Sequence, residues 1–309
     1  GIAAISSAIL HCVKSGDHII TVNNIYGPSN NFIGKYLKEK FNIESSFVDG
    51  TDPQNFAQAI KENTRLIYLE SPASLSYELQ DIQAVAKIAK KHQIKTVIDN
   101  TWATPIFQKP LTLGIDIEVH SVSKYLCGHS DVVAGVIVSS KEIMDQIILA
   151  EHEWLGAKMA PFEAWLILRS LRTLPLRMNA HMASAAKVCR FLQGHNRVRK
   201  VIYPGIKNFP QFDLGQKQMT GYSGLLSFEL DSDDVETIKH FVNALSLFKL
   251  GVSWGGHDSL VYAPIISYLK ELPPEKFKAM GIKPGLIRLS IGLEHAEDLI
   301  SDLDAALSF

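Results

Sequence analysis

Short apolar runs alternate with amphipathic segments along the first half of the chain. β-Branched residues concentrate in four runs that we predict to be strands, at residues 18–22, 65–69, 95–98 and 132–138. Between the second and third runs, apolar residues recur at helical spacing over residues 82–89, and lysines follow where the helix dipole favours them. Strands separated by helices of this length indicate βαβ units and a mostly parallel sheet.

The pattern changes in the second half. One long helical stretch is predicted at about residues 162–192, where Pro175 marks a bend or a break. Beyond His195 the pattern predicts strands at residues 224–230 and 287–291, and helices at 235–245 and 296–307. We therefore predict an α/β protein with a large domain at residues 1–180 and a smaller α+β domain at residues 181–309.

Charge and hydropathy exclude several classes of protein. The 309 residues include 31 Lys and Arg against 32 Asp and Glu, so no basic excess points to a nucleic-acid partner. No apolar run approaches the length of about 18 residues that a membrane helix needs, so we predict no membrane partner. The three cysteines lie far apart without a CxxC motif, which favours a reducing cytoplasm.

Common nucleotide and metal motifs are absent from the sequence. Neither a P-loop nor a GxGxxG motif follows a predicted strand. His152 and Glu153 begin an HExxH-like pattern, but Gly156 stands where the second histidine belongs. We therefore assign no metal.

Polar residues at three strand ends indicate a specific cofactor. Tyr26 follows the first strand, Asp99 ends the strand in VIDNTWATP, and Lys124 lies in HSVSKYLCGHSD. Ligands of parallel sheets bind at the carboxyl ends of the strands. Pyridoxal phosphate (PLP) needs a lysine for its aldehyde, a carboxylate for its pyridine nitrogen and an aromatic ring on its face. Ser121, Ser123 and the backbone start at Gly1 and Ile2 can bind its phosphate.

The motifs together resemble a known family, the Cys/Met-metabolism branch of fold-type I PLP enzymes. This branch includes cystathionine β- and γ-lyases, cystathionine γ-synthase and methionine γ-lyase. The resemblance extends over essentially the whole chain, and its motifs occur in the order GIAAI, YGPS, LESPAS, VIDNTWATP, HSVSKYLCGHSD, SWGGHDSL and LIRLSIGLE. It implies PLP as cofactor and a large domain with a mostly parallel seven-stranded sheet flanked by helices.

The resemblance also implies residue roles. Lys124 corresponds to the lysine that binds the cofactor aldehyde, Asp99 to the partner of the pyridine nitrogen, and Tyr26 to the stacking tyrosine. Lys124 is expected to be the general base, and Lys124 or Tyr26 the acid that protonates the departing sulfur. The expected phosphate-binding positions are Gly1, Ile2, Ser121 and Ser123.

Substrate binding is expected in the C-terminal part of the chain. Arg288 matches the arginine that binds the substrate α-carboxylate, with Ser253 and Trp254 beside it. Simpler interpretations remain open for each residue. Arg288 can pair with Glu294 or Asp298, Ser253 can belong to a glycine-rich turn, and Trp254 can be a core residue.

Two local motifs favour the bacterial cystathionine β-lyase type. The chain has SWGG at residues 253–256 and ESPAS at residues 70–74, whereas γ-acting relatives tend to have SLGG and ETPTNP. We therefore predict a carbon–sulfur lyase of transsulfuration and methionine biosynthesis, acting on an amino-acid thioether. The alternatives are a cystathionine γ-lyase or γ-synthase activity, or a PLP-binding regulatory relative without turnover.

The resemblance implies an assembly as well. Members of the branch form homodimers that pair into homotetramers, and a Tyr-x-Arg motif in an additional N-terminal segment holds the cofactor phosphate of the neighbouring subunit. The sequence starts at Gly1 without this segment, so we expect it to be a fragment. We also expect it to bind PLP more weakly than a chain extended upstream.

Overall fold

A computed structural model describes residues 1–271 and 282–308 of the chain. The chain divides into two compact units. The first comprises Gly1–Cys127, Asp131–Arg172 and Gln211–Gly221, and the second comprises Gly128–Ser130, Thr173–Pro210 and Tyr222–Phe309. The sequence analysis placed one boundary after residue 180, which lies inside the helix Leu174–Gly194. That helix belongs wholly to the second unit. The boundary lies just before it, between Arg172 and Thr173.

The described residues form eleven strands. In chain order they are β1 His18–Val22, β2 Glu44–Val48, β3 Thr64–Glu70, β4 Lys95–Asp99, β5 Ile117–Ser121, β6 Gly135–Ser139, β7 Val198–Ile202, β8 Leu225–Leu230, β9 Lys249–Leu250, β10 Leu260–Tyr262 and β11 Leu286–Ser290.

The α-helices of the described residues also follow in chain order. They are α1 Ile2–Cys12, α2 Gly27–Asn31, α3 Leu37–Phe41, α4 Pro53–Ala59, α5 Ile82–Lys91, α6 Thr104–Phe107, α7 Lys141–Ile147, α8 Glu153–Leu155, α9 Pro161–Leu171, α10 Leu174–Gly194, α11 Phe212–Gln218, α12 Val235–Ala244, α13 Pro264–Glu271 and α14 Ala296–Leu307. Two π-helical segments and one 3₁₀ helix join some of them, at Phe32–Tyr36, Ile148–His152 and Pro110–Leu113. Among these helices, none has the length and hydropathy required to cross a membrane.

The first unit contains a mixed sheet with strand order β2-β1-β3-β4-β5-β6. β1 to β5 run parallel to one another, and β6 pairs antiparallel with β5. The predicted α/β architecture with a mostly parallel sheet and flanking helices is confirmed. The described residues of this unit form a sheet of six strands, one fewer than the resemblance implied.

The central strands are buried because helices cover the sheet. Every residue of β1 is buried, as are six of the seven residues of β3. Near-continuous apolar runs of this kind are typical of parallel strands covered on both faces. The predicted strand at residues 18–22 is confirmed as β1, whereas the strand predicted at residues 132–138 begins three residues later, at Gly135.

The second unit contains a five-stranded sheet with the order β7-β8-β11-β10-β9. Its pairs are antiparallel, except that β10 and β9 run parallel. The helical stretch predicted at residues 162–192 consists of two helices, α9 and α10, with a break at Arg172 and Thr173. Pro175 lies in the first turn of α10, where a missing backbone N–H breaks no helical hydrogen bond.

Candidate active site

The carboxyl ends of β1, β3, β4 and β5 lie at one edge of the first sheet, since these strands are parallel. Asp99 ends β4, and Glu70 is its register partner at the end of β3. Tyr26 follows β1, and Lys124 follows β5. The structure therefore brings the three predicted cofactor residues Tyr26, Asp99 and Lys124 to the same edge of one sheet.

Asp99 is a buried carboxyl group held by its own loop. Its Oδ1 accepts hydrogen bonds from the backbone N–H of Thr101, at 2.9 Å, and from the Thr101 hydroxyl. The same hydroxyl oxygen accepts the N–H of Ser121 at 2.8 Å, which connects the end of β4 to the end of β5. Burial raises the pKa of Asp99, although the Thr101 hydrogen bonds oppose that rise.

A buried carboxylate of this kind is stabilised when a cationic group is brought to it. A protonated pyridine nitrogen is such a group, so Asp99 fits the predicted role in chemistry and in location. This role remains a prediction.

Lys124 lies in a turn that follows β5 directly. Its backbone N–H donates to the carbonyl oxygen of Ser121 at 3.2 Å, and the N–H of Cys127 donates to Val122 at 2.8 Å. The N–H of Val122 donates to the carbonyl oxygen of Ala134 at 3.0 Å, directly before β6. These hydrogen bonds fix the turn at the end of the sheet, and Lys124 is half-buried there.

The predicted phosphate-binding residues lie around the start of α1. The Gly1 nitrogen donates to the carbonyl oxygen of Ala134 at 2.9 Å, and the N–H of Ala134 donates to Ser123 Oγ, also at 2.9 Å. A Cβ atom on Gly1 would lie 2.9 Å from Ser121 Oγ, so any larger residue would require the Ser121 side chain to shift. The helix α1 begins at Ile2. Hydroxyl groups beside a helix N-terminus form a suitable site for a phosphate.

Tyr26 directly precedes α2 and is 45% exposed. Its backbone N–H donates to Glu70 Oε2 at 2.7 Å, and its carbonyl oxygen accepts the N–H of Asn30 at 2.9 Å. Partial burial raises the pKa of the Tyr26 hydroxyl, and the negative charges of Asp99 and Glu70 raise it further. An exposed ring on an anchored backbone is compatible with stacking on a planar ligand.

Sequence reasoning assigned no role to Glu70. This residue is 8% exposed, and burial together with the charge of Asp99 raises the pKa of its carboxyl group to about 8. Its Oε1 accepts the hydroxyl of Ser74 at 2.6 Å. The available signal was its position directly after a predicted strand, the same signal that drew attention to Asp99.

A buried polar network also escaped sequence reasoning. Glu118 Oε1 lies 2.7 Å from His120 Nε2 and accepts the Asn100 side-chain amide, also at 2.7 Å. Gln108 donates to Asn100 Oδ1 at 2.9 Å and to the carbonyl oxygen of Ser71 at 2.8 Å. Side chains alternate along β5, so Glu118 and His120 face away from the side of the sheet that carries Asp99. The network thus connects the ends of β4 and β5 on the face of the sheet opposite Asp99.

The predicted substrate-binding residues belong to the second unit. Arg288 lies on β11, where its guanidinium donates to the carbonyl oxygen of Val252 and lies 4.8 Å from the Tyr262 ring centroid. Glu294, one proposed ion-pair partner, accepts the hydroxyl and the N–H of Ser259. Ser253 is exposed and Trp254 is half-buried, between β9 and β10. The roles of these three residues in substrate binding stay predictions.

Among the described residues, no group of three or more His, Cys, Asp and Glu side chains could hold a metal ion.

Comparison with known proteins decides the family. The sequence pattern of the family described as "Cys/Met metabolism PLP-dependent enzyme" matches residues 1–308. The chain belongs to this family. Its cofactor is therefore pyridoxal 5'-phosphate, and its fold is that of the fold-type I PLP enzymes, as the sequence predicted.

Three similar proteins carry three different names. The chain is 41% identical over 310 residues to the L-methionine gamma-lyase of Treponema denticola, which covers 99% of the chain and 77% of that protein. It is 42% identical over 308 residues to a cystathionine beta-lyase of Lactococcus lactis, with coverages of 99% and 80%. It is 39% identical over 308 residues to the cystathionine gamma-lyase of Bacillus subtilis, with the same coverages. The shared description is a PLP-dependent lyase of cysteine and methionine metabolism.

Proposed function

We propose that this protein cleaves L-cystathionine by β-elimination. The carbon–sulfur bond on the cysteine side breaks, and water completes the reaction to homocysteine, pyruvate and ammonia. The observation that carries the lyase chemistry is the buried carboxyl group of Asp99 at the sheet edge from which the Lys124 turn departs. The preference for β-elimination is supported by the ESPAS and SWGG motifs at residues 70–74 and 253–256.

Each residue has a defined task in this proposal. PLP, when bound, withdraws electrons from the Cα of the substrate. Asp99 stabilises the protonated pyridine nitrogen, and Gly1, Ile2, Ser121 and Ser123 bind the phosphate. The amine of Lys124 removes the Cα proton, and Lys124 or Tyr26 returns a proton to the departing sulfur. Arg288 is proposed to bind the α-carboxylate, with Ser253 and Trp254 as further substrate contacts.

The products of cystathionine cleavage test this proposal directly. We expect the purified protein, saturated with PLP, to release pyruvate and homocysteine from L-cystathionine in equal amounts. Formation of 2-oxobutyrate and cysteine instead would identify a γ-lyase and contradict the proposal. A protein that is yellow with bound PLP but forms neither keto acid would be a non-catalytic relative.

A second candidate is γ-elimination, which is favoured by the 41% identity to a methionine gamma-lyase and the 39% identity to a cystathionine gamma-lyase. L-Methionine in the same assay would then yield 2-oxobutyrate, methanethiol and ammonia. A γ-synthase activity would instead join cysteine to an activated homoserine ester. Ratios of kcat/KM for these substrates rank the candidates, because discrimination is a difference in transition-state binding.

We propose that the protein forms homodimers that pair into homotetramers. The support is an exposed apolar surface on α9, which we define as Phe162, Trp165 and Leu168, with exposed fractions of 66%, 56% and 63%. These residues recur every three positions and so lie along one side of the helix. The rings of Phe162 and Trp165 stack with centroids 5.9 Å apart. Contiguous exposed apolar surfaces of this kind mark interaction sites.

Replacing two residues of the α9 surface is expected to weaken self-association. Phe162→Asp together with Trp165→Asp places charges where a partner would bury aromatic rings, so the dissociation constant should rise at least about thirtyfold. Sedimentation velocity over a concentration series measures this change. Lys91→Glu, which reverses an exposed charge at the end of α5, is the control. Unchanged self-association of the double variant would show that the α9 surface takes no part in the assembly.

We further propose a reducing, cytoplasmic location. Cys12, Cys127 and Cys189 all lie in the described part of the chain, and they form no disulfide. Burial raises the pKa of Cys12 to about 12 and raises that of Cys189 as well, so both remain protonated thiols at neutral pH.

A further inference from the structure

We propose that Glu70 is the positioning residue for Tyr26, and that its carboxyl group fixes the loop that carries this tyrosine beside Asp99. The inference rests on the proposed function, because it assigns to Tyr26 the stacking role expected for a PLP enzyme. It adds a residue to which neither the sequence motifs nor the comparisons gave a role.

The position of Glu70 is set by the sheet. It is the last residue of β3 and the register partner of Asp99 on β4. Register partners on parallel strands project their side chains from the same face of the sheet. Glu70 therefore faces the side on which Asp99 lies, and it does so from a rigid strand rather than from a loop.

The buried carboxyl group of Glu70 requires hydrogen-bond partners. A polar group removed from water costs free energy unless it forms hydrogen bonds. The two oxygens of Glu70 bind two different loops. Oε2 accepts the backbone N–H of Tyr26 at 2.7 Å, in the loop after β1, and Oε1 accepts the hydroxyl of Ser74 at 2.6 Å, in the loop after β3.

The two loops are also joined directly. The N–H of Ser74 donates to the carbonyl oxygen of Asn24 at 3.0 Å, two residues before Tyr26. The carbonyl oxygen of Tyr26 accepts the N–H of Asn30 in the first turns of the following helical segment. The Tyr26 backbone is thus held on both sides. The ring itself is 45% exposed, so the backbone anchor rather than dense packing sets its place.

The ionisation of Glu70 suggests a close mimic for the test. Burial and the neighbouring charge of Asp99 raise the pKa of Glu70, so the neutral carboxyl group forms more easily here than in an ordinary glutamate. A glutamine has the same shape. Its amide oxygen can accept the Tyr26 N–H, and its amide nitrogen can donate to the Ser74 hydroxyl oxygen. Glu70→Gln therefore keeps the anchor, while Glu70→Ala and Glu70→Leu remove it.

Amide hydrogen exchange on the holoenzyme tests the anchor independently of turnover. In Glu70→Ala and Glu70→Leu, we expect exchange of the Tyr26 amide to accelerate tenfold or more, and PLP affinity to fall about tenfold. In Glu70→Gln, both quantities should stay within about threefold of the wild type. Glu44→Ala is the control, because Glu44 is an exposed carboxylate on β2 that pairs with Lys61.

Leucine fills the space left by the carboxyl group, so it provides a folded test protein if the alanine variant is unstable. Wild-type exchange of the Tyr26 amide in a folded Glu70→Ala or Glu70→Leu variant would overturn the proposal. Loss of protection in Glu70→Gln equal to that in Glu70→Ala would also overturn it.

The outcome separates this inference from the proposed function. A wild-type protein that cleaves no thioether would refute the function, while accelerated exchange in Glu70→Ala would still establish the anchor. Active wild-type enzyme with exchange unaffected by all substitutions at Glu70 would refute the anchor alone.

Discussion

Lys124→Ala is expected to lower the rate of cystathionine cleavage at least about a thousandfold, because one side chain both binds the cofactor and transfers protons. Alanine leaves the turn intact, since the hydrogen bonds that fix it come from the backbone of Ser121, Val122 and Cys127. The variant should also lose the visible absorbance of the covalently bound cofactor. The rate of pyruvate release and the absorbance spectrum measure these two effects.

Chemical trapping identifies the lysine directly. Reduction of the holoenzyme with borohydride, followed by peptide mapping, should place the pyridoxyl group on Lys124. Lys91→Ala is the control variant, because Lys91 is an exposed lysine at the end of α5. A pyridoxyl group on any other lysine would reject Lys124 as the cofactor-binding residue.

Asp99→Asn is expected to lower kcat about a hundredfold or more while the protein keeps its fold. An asparagine keeps the oxygen that accepts the N–H and hydroxyl of Thr101, so the link to β5 survives. It loses the negative charge that stabilises the protonated pyridine nitrogen. Electrostatic contributions of this kind are worth several kcal/mol, or about a hundredfold or more in rate.

The chain offers a matched control for this substitution. Asp49 follows β2 and accepts the N–H and hydroxyl of Thr51, at 2.9 and 2.6 Å, in the same arrangement that Asp99 has with Thr101. Asp49→Asn should therefore show the effect of replacing a carboxylate with an amide alone, with kcat within about threefold of the wild type. Equal effects of Asp99→Asn and Asp49→Asn on kcat would indicate that Asp99 has only a structural role.

Sequence patterns predicted the strands that are apolar on both faces. β1 has the predicted bounds, and β3 and β4 extend the predicted runs by one or two residues. β2 was not predicted because it is the outermost strand of the sheet and its sequence, ESSFV, is largely polar. β5 was predicted only as a strand before Lys124, without bounds, because Glu118 and His120 interrupt its apolar pattern. Their burial depends on Asn100, which donates to Glu118 only in the folded chain and accepts a hydrogen bond from Gln108.

The site was predictable to the extent that a residue type identifies its task. A lysine, an aspartate and a tyrosine at strand ends match the three requirements of one cofactor, whereas a glutamate in the same position has many possible partners. Glu70 gains its significance from the order of the strands, which places β3 between β1 and β4. That order arises from long-range pairing, and a local pattern does not encode it.

The register between β3 and β4 has a consequence for how this sequence can change length over evolutionary time. Side chains alternate between the faces of a strand, so loss of one residue inside β4 would turn Asp99 away from Glu70 and toward the opposite layer of helices. Insertions in the loops that precede these strands leave the alternation unchanged and are tolerated far better. Related chains that keep this chemistry are therefore expected to differ in loop length, while the interiors of β3 and β4 accept neither single insertions nor single deletions.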